Sequence, residues 1–420
     1  MMQSMTYDDA VATLEGALKF GMNPSLEPIR AMCAAMGEPQ KRYRCIQVAG
    51  TNGKSSTTRM IAALMRAQGL HVGLYVSPHL VKYPERIEID GCVVSDEAFA
   101  RGIEAALDAA ARAHVEATEF ELLTAAALWL FAQEGADWVV LECGLGGRWD
   151  ATSVVNPQVA VITGVALEHT AILGDTIEKI AAEKAAIIKL GSRAIFAHDL
   201  AAREVFERQA QQVCAPYENA NPEAVIPFED ELASLPTYQR SNLATALAAV
   251  TAALGHAPSP ESVRMALSEL VIPGRFEILR HDPLVIIDAA HNPQSAHALA
   301  GELQRLFDGV GQGDRSFVPL ESSGTNDLSP CPTLLLGVLD DKDARGIIRE
   351  LCPLFSRIVV TASSSPRSVP AAKLAMLVEE ECGVRPEIAT SISEARELLR
   401  HEPVIATGSI TVAGEVKDIW

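Results

Sequence analysis

Short apolar runs alternate along this chain with longer stretches in which apolar positions recur every three or four residues. The runs 45–48, 72–76, 138–141, 159–163 and 194–197, then 284–287, 333–338, 357–360 and 403–406, have the length of strands and show no polar–apolar alternation. A strand without alternation is buried on both faces, as in parallel sheets covered by helices. Helical periodicity fills the stretches 55–68, 120–133, 177–189, 241–254 and 294–306. Strand and helix in repetition predict an α/β fold with mostly parallel sheets.

Two interruptions suggest how the chain divides. Pro273-Gly274 breaks a helical pattern just before a new strand, and the expected domains are therefore 1–276 and 277–420. The stretch 308–332 is rich in Gly, Ser, Asp and Pro and reads as a surface insertion. At 420 residues, two cores are the natural expectation.

Composition narrows the function more than the fold. Hydrophobic residues are 48% and charged residues 21%, the profile of a globular enzyme. The formal net charge of -19 speaks against a nucleic-acid partner, which would demand a concentrated basic face. The eight cysteines form no Cys-x-x-Cys pair, which suggests a reducing compartment. The first residues carry no basic stretch followed by an apolar run, and no stretch is long and apolar enough to span a bilayer. The expectation is a cytoplasmic, monomeric protein with no membrane partner.

The strongest local signal is Ala49-Gly50-Thr51-Asn52-Gly53-Lys54-Ser55-Ser56, between a strand and an amphipathic helix. Glycines let backbone amides converge on phosphate oxygens. Lys54 can reach the β and γ phosphates, and a hydroxyl of Ser55 or Ser56 can meet Mg2+. Position 48 is Val where the full Walker pattern has its first Gly. Other strands deliver Glu142, Glu168-His169, and Asp288 with His291 and Asn292 just beyond their carboxyl ends, where open parallel sheets bind ligands. Lys184, away from these strand ends, reads by itself as a solvated helix lysine. Each of the others has a plain alternative: Glu142 as a solvated strand end, His169 as a capping or core residue, and 288–293 as a strand-to-helix turn. Together with a phosphate loop they read as a nucleotide and hard-metal site.

In their order, these motifs make the chain resemble the folylpolyglutamate synthase and dihydrofolate synthase family, within the Mur-ligase-like superfamily. The resemblance rests on 48–54, on Ser77-Pro78-His79-Leu80 with Glu85-Arg86-Ile87, and on 142–152. It continues through Glu168-His169-Thr170, Glu183-Lys184-Ala185-Ala186-Ile187-Ile188-Lys189, Pro273-Gly274-Arg275-Phe276-Glu277 and Asp288-Ala289-Ala290-His291-Asn292-Pro293. It implies a P-loop ATPase domain joined to a smaller Rossmann-like C-terminal domain, with the active site between them. It also implies an ATP-dependent ligase that adds L-glutamate to dihydropteroate, to the tail of reduced folates, or to both, through an acyl phosphate.

By the same resemblance, Gly50, Thr51, Asn52, Gly53, Lys54, Ser55, Asn242, Arg275 and Asp288 meet ATP. Ser77, Glu142 and His169 bind Mg2+, with Lys184 as a carbamate, giving two metal sites and leaving a monovalent cation open. Thr118, Glu119, Phe120, Glu121, Trp149, Asp150 and Ala151 line the acceptor site, and Lys54, His169, Lys184 and His291 are the catalytic set. A carbamate requires a neutral Lys184 amine, hence burial or cationic neighbours. The chain departs from the family pattern at Ser55, Trp149, Ser153, Glu168 and Ala186. Trp149 bears on the choice of acceptor. A Mur-type amino-acid ligase of peptidoglycan precursors is the alternative. A P-loop switch is disfavoured, because no Asn-Lys-x-Asp base-reading motif occurs.

Overall fold

The computed structural model describes residues 5–18, 24–312 and 332–420. Its first sheet is built from β1 (Arg44–Ala49), β2 (Val72–Tyr75), β3 (Ile87–Ile89), β4 (Cys92–Val93), β5 (Trp138–Glu142), β6 (Val159–Ile162), β7 (Arg193–Phe196) and β8 (Tyr217–Asn219). The order across it is β4-β3-β2-β5-β1-β6-β7-β8. Only β3 and β4 run antiparallel to their neighbours. The second sheet holds β9 (Glu277–His281), β10 (Leu284–Ile287), β11 (Thr333–Leu336), β12 (Ile358–Val360), β13 (Glu387–Ile388) and β14 (Val404–Thr407), in the order β13-β12-β11-β14-β10-β9. There only β9 is antiparallel.

The α/β class with mostly parallel sheets is as the sequence predicts, and all nine expected strands form. The five unexpected strands are β3, β4, β8, β9 and β13, which lie at or next to sheet edges. Residues of β4, β8 and β13 are exposed, so no apolar run marks them; each is held by backbone pairing to one side. The helix expected over 177–189 stops at Ala185, and a turn closed by Ile188 N–H donating to the Ala185 carbonyl carries Lys189 inward.

β1 lies between β5 and β6, and its residues after Arg44 are buried. One apolar cluster packs the helices Tyr7–Ala17, Glu27–Ala35, Asp96–Ala113 and Glu119–Glu134 with residues of β1, β2 and β5. Another packs Ile177–Ala185 and Arg203–Gln212 with β6 and β7. The second sheet has its own core, including Leu299, Leu303, Ile347, Ile348 and Leu374.

The chain divides into two compact units, one of 1–228 with 239–270 and the other of 229–238 with 271–420. A single cut at 276/277 therefore differs from what is observed. Residues before β9 are bonded into the second sheet: Phe276 N–H donates to Asp288 Oδ2 at 2.7 Å, and Ala289 N–H to the Gly274 carbonyl at 2.9 Å. Most of 308–332 lies outside the described residues. No helix among the described residues is long and apolar enough to cross a membrane.

Candidate active site

The loop after β1 has little room. A Cβ on Gly50 would stand 1.9 Å from Thr163 Oγ1, and one on Gly53 would stand 2.6 Å from Asn242 Oδ1. Gly53 also has φ 82°, a left-handed angle that costs glycine little, and it opens the helix Lys54–Arg66 without a side-chain cap. Uncapped first-turn amides and the helix dipole favour an anion there. Thr51 N–H donates to the Gly164 carbonyl at 2.5 Å, and Ala166 N–H to Thr51 Oγ1 at 3.1 Å. The phosphate loop is thereby fastened to the segment that follows β6. Lys54 Nζ donates to the Thr51 carbonyl at 3.1 Å.

Beside the loop, Glu142 ends β5 with 1% of its surface exposed. Ser55 Oγ donates to its Oε1 at 2.8 Å, and Ser77 N–H to its Oε2 at 3.2 Å. Ser56 instead faces inward, accepting from Gln239 Nε2 at 3.3 Å. Of the two loop serines, the geometry therefore assigns Ser55 to the Glu142 side. His169 follows Ala166 by three residues, in a left-handed conformation (φ 50°) that opens the helix Thr170–Leu173, and its Nε2 lies 3.6 Å from Glu168 Oε1. The buried Glu142 carboxylate and the Ser55 hydroxyl are oxygen donors of the kind a hard divalent cation takes.

Lys184 reaches the same loop from below. Its Nζ donates to the Gly50 carbonyl at 2.7 Å, and the residue is buried. Burial, then repulsion from Lys54, brings the ammonium pKa from the ordinary 10.5 down to about 7. An amine of that kind has the neutral fraction that carbamate formation requires.

The two segments assigned to the acceptor side are more structural than their motifs suggest. Thr118 caps the helix Glu119–Glu134: Glu121 N–H donates to Thr118 Oγ1, while Thr118 N–H and Oγ1 donate to Glu121 Oε2 at 2.8 and 2.9 Å. Glu119 pairs with Arg86 at 3.5 Å, and Phe120 fills the space over Gly144, where a Cβ would stand 2.6 Å from its ring. Asp150 is buried and accepts from Leu145 N–H at 2.8 Å, Thr152 N–H at 3.0 Å and Thr152 Oγ1 at 2.5 Å. Burial nevertheless raises its pKa. Trp149 is exposed, whereas Ala151 is buried.

The second unit holds the remaining candidates. Asp288 is buried beyond β10, accepting from Phe276 N–H, from Ala290 N–H at 2.8 Å and from Tyr238 Oη at 3.3 Å; burial raises its pKa, and Arg275 opposes the rise. Arg275 Nη1 donates to the Gly274 carbonyl at 2.9 Å. His291 Nδ1 lies 2.9 Å from the Ala289 carbonyl, which can only accept, so Nδ1 bears a proton. Asn292 Oδ1 accepts from Ser295 N–H, fixing the start of the helix Pro293–Gln312.

Residues 48–224 match the Mur ligase middle domain. A folylpolyglutamate synthase of Lacticaseibacillus casei is 31% identical over 445 residues, covering 98% of each chain. The chain belongs to the folylpolyglutamate synthase/dihydrofolate synthase family. Among solved structures, Mycobacterium tuberculosis folylpolyglutamate synthase complexed with ADP superposes with a TM-score of 0.85 at 30% identity, covering 98% of both chains. A bifunctional folylpolyglutamate synthase/dihydrofolate synthase of Yersinia pestis, complexed with AMPPNP and Mn ion, does so at 0.81 and 26%, covering 98% of this chain and 97% of that one.

Within this folylpolyglutamate synthase-like site, several supporting residues escaped sequence reasoning. Gln47 Nε2 donates from the middle of β1 to Thr152 Oγ1 at 3.0 Å and Ser153 Oγ at 2.9 Å. Lys189 Nζ donates to the carbonyls of Ser153 at 2.5 Å and Val155 at 2.6 Å. Together they pin the loop after Glu142 from beneath. A lone glutamine inside an apolar strand was the available signal for Gln47. His79 stands in a quoted motif without a role; burial, then Arg86, pushes its pKa down to about 3.

Proposed function

We propose that this chain is an ATP-dependent ligase that adds L-glutamate to dihydropteroate, to the glutamate tail of reduced folates, or to both. The observation that carries the proposal is the buried Glu142 carboxylate, tied to Ser55 and Ser77 beside an uncapped phosphate loop, in a member of this family. The acceptor's carboxylate attacks the γ-phosphorus of ATP, ADP leaves, and an acyl phosphate forms. The amine of L-glutamate then attacks the acyl carbon, phosphate leaves with the former carboxylate oxygen, and an amide results. Lys54 and the first-turn amides after Gly53 would spread the charge of the transferring group, which is most of what phosphoryl transfer asks of a protein.

Ser77, Glu142 and His169 would hold one Mg2+, and Lys184 as a carbamate would help hold a second. The metal supplies charge neutralisation on the phosphates when bound. Asn242 supports a nucleotide role by its packing on Gly53, and Thr57 Oγ1 donates to its Oδ1 at 3.4 Å. Arg275 and Asp288 are proposed ATP contacts, and His291 would orient the acceptor or glutamate. Glu119, Phe120 and Trp149 would meet the acceptor directly, while Thr118, Glu121, Asp150 and Ala151 shape the backbone that does. We take the protein to work in the cytoplasm as a monomer. The Mur-type alternative has support at the level of the superfamily only.

The test is ADP and phosphate release by the purified chain with Mg-ATP, L-glutamate and either dihydropteroate or a reduced folate. Release that depends on both glutamate and acceptor is expected. A folded protein that shows none with either acceptor overturns the reading.

A further inference from the structure

The mechanism leaves one constrained side chain unused. His79 lies two residues beyond Ser77, and Arg86 Nε donates to its Nδ1 at 3.0 Å. A guanidinium N–H cannot accept, so Nδ1 carries no proton and Nε2 carries the ring's single one. The ring is therefore a donor at Nε2. Its orientation is fixed as well: the Tyr83 ring lies 4.4 Å away, and Arg86 lies over that same ring at 5.1 Å. Arg86 is buried and pairs with Glu119 at 3.5 Å, in the first turn of the helix Glu119–Glu134.

This array lies between the Glu142 side of the phosphate loop and the helix start assigned to the acceptor. Ser77 provides the first link, and the Arg86–Glu119 pair the second. Among the described residues no acceptor meets His79 Nε2, and the side chain is only half-buried. A cation donating to one nitrogen of an imidazole polarises the ring and strengthens the N–H at the other. A strengthened neutral donor next to a guanidinium selects an anionic acceptor, because charge-assisted hydrogen bonds are the stronger kind.

We propose that His79 is a specificity-determining residue whose Nε2–H recognises a carboxylate of the acceptor substrate, with Arg86 as the positioning residue that fixes its tautomer. The assignment rests on the ligase function proposed above and adds the group that reads the acceptor.

Steady-state kinetics of the full chain test it with His79→Ala and His79→Gln, thermal melts confirming that both variants fold. His79→Ala should raise the acceptor KM about tenfold, the loss of one hydrogen bond to a charged group. The KM values for ATP and glutamate should stay within about twofold. His79→Gln, which restores an N–H at similar reach, should recover most of the loss. Binding of the acceptor and of its carboxamide analogue, measured by calorimetry, supplies a second readout. The intact protein should prefer the carboxylate about tenfold, and His79→Ala should erase that preference. An unchanged acceptor KM, a KM for ATP that moves equally, or a preference that survives in His79→Ala overturns the role of His79 alone. Absence of turnover in the unsubstituted protein overturns the ligase reading and this inference together.

Discussion

Gly50→Ala tests whether the phosphate loop is held in place by packing or by backbone freedom. The backbone angle is no obstacle, since Gly50 is not among the positive-φ residues. Space is the obstacle. The added methyl would stand 1.9 Å from Thr163 Oγ1, 3.1 Å from the Gly164 carbonyl and 3.2 Å from the Gly164 nitrogen. Thr163 cannot simply turn aside, because its hydroxyl donates to the Asn52 carbonyl of the same loop at 2.7 Å. Overpacking costs about 1–3 kcal/mol, and the displaced hydrogen bond adds about 1 kcal/mol. A total near 2–4 kcal/mol is expected from urea unfolding, together with loss of nucleotide binding by calorimetry. Thr163→Ala alone should cost about 1 kcal/mol. In the double variant the 1.9 Å contact is gone, and the next nearest neighbours, on Gly164, both lie above 3 Å. Its destabilisation should therefore fall below the sum of the single variants by about 1 kcal/mol or more, while nucleotide binding stays impaired. Additive stabilities, or a Gly50→Ala protein that binds nucleotide normally, would refute the packing argument.

Other substitutions probe the surroundings. Ser55→Ala should lower divalent-metal-dependent turnover about 10–100-fold, whereas Ser56→Ala, whose hydroxyl meets buried Gln239, should change mainly the unfolding midpoint. Lys189→Met keeps the aliphatic stem but leaves the Ser153 and Val155 carbonyls without their donor; about 2–4 kcal/mol of stability should go, with a higher acceptor KM. His71 places Nδ1 2.5 Å from Asp90 and Nε2 2.9 Å from the Glu134 carbonyl, so both nitrogens donate only in the imidazolium. Partial burial works against that charge, and these two hydrogen bonds outweigh it, raising the pKa. A group raised on folding stabilises fully below its unfolded pKa and loses that contribution as pH rises through the folded one. The melting temperature should accordingly fall from pH 6 towards pH 8 by more in the parent than in His71→Gln, and equal falls would contradict the clamp.

What was legible in the sequence follows from what burial does to composition. β5, β6 and β10 are buried along their whole lengths, so each reads as a continuous apolar run, and the polar residue at or just past its end stands out. Glu142 and Asp288 were found by that contrast. Edge strands such as β8 and β13 gain order from one neighbour's backbone, and hydrogen bonds between peptide groups leave no trace in side-chain pattern.

The partition of work inside a motif was also hidden from sequence. Thr118-Glu119-Phe120-Glu121 reads as one acceptor segment, yet Thr118 and Glu121 close a capping box upon each other, while Glu119 pairs with Arg86 and Phe120 packs over Gly144. In Glu183 to Lys189, only folding distinguishes the lysine under Gly50 from the lysine under Ser153 and Val155. The helix ends between them at Ala185, and that one break sends the two amines to different carbonyls. Burial lowers the pKa of both amines, helped at Lys184 by Lys54 and bringing it to about 7, while Lys189 serves as a strut under the loop. If Lys184 carries the proposed carbamate, a substitution there should cost turnover while one at Lys189 costs stability, separating loss of chemistry from loss of the loop.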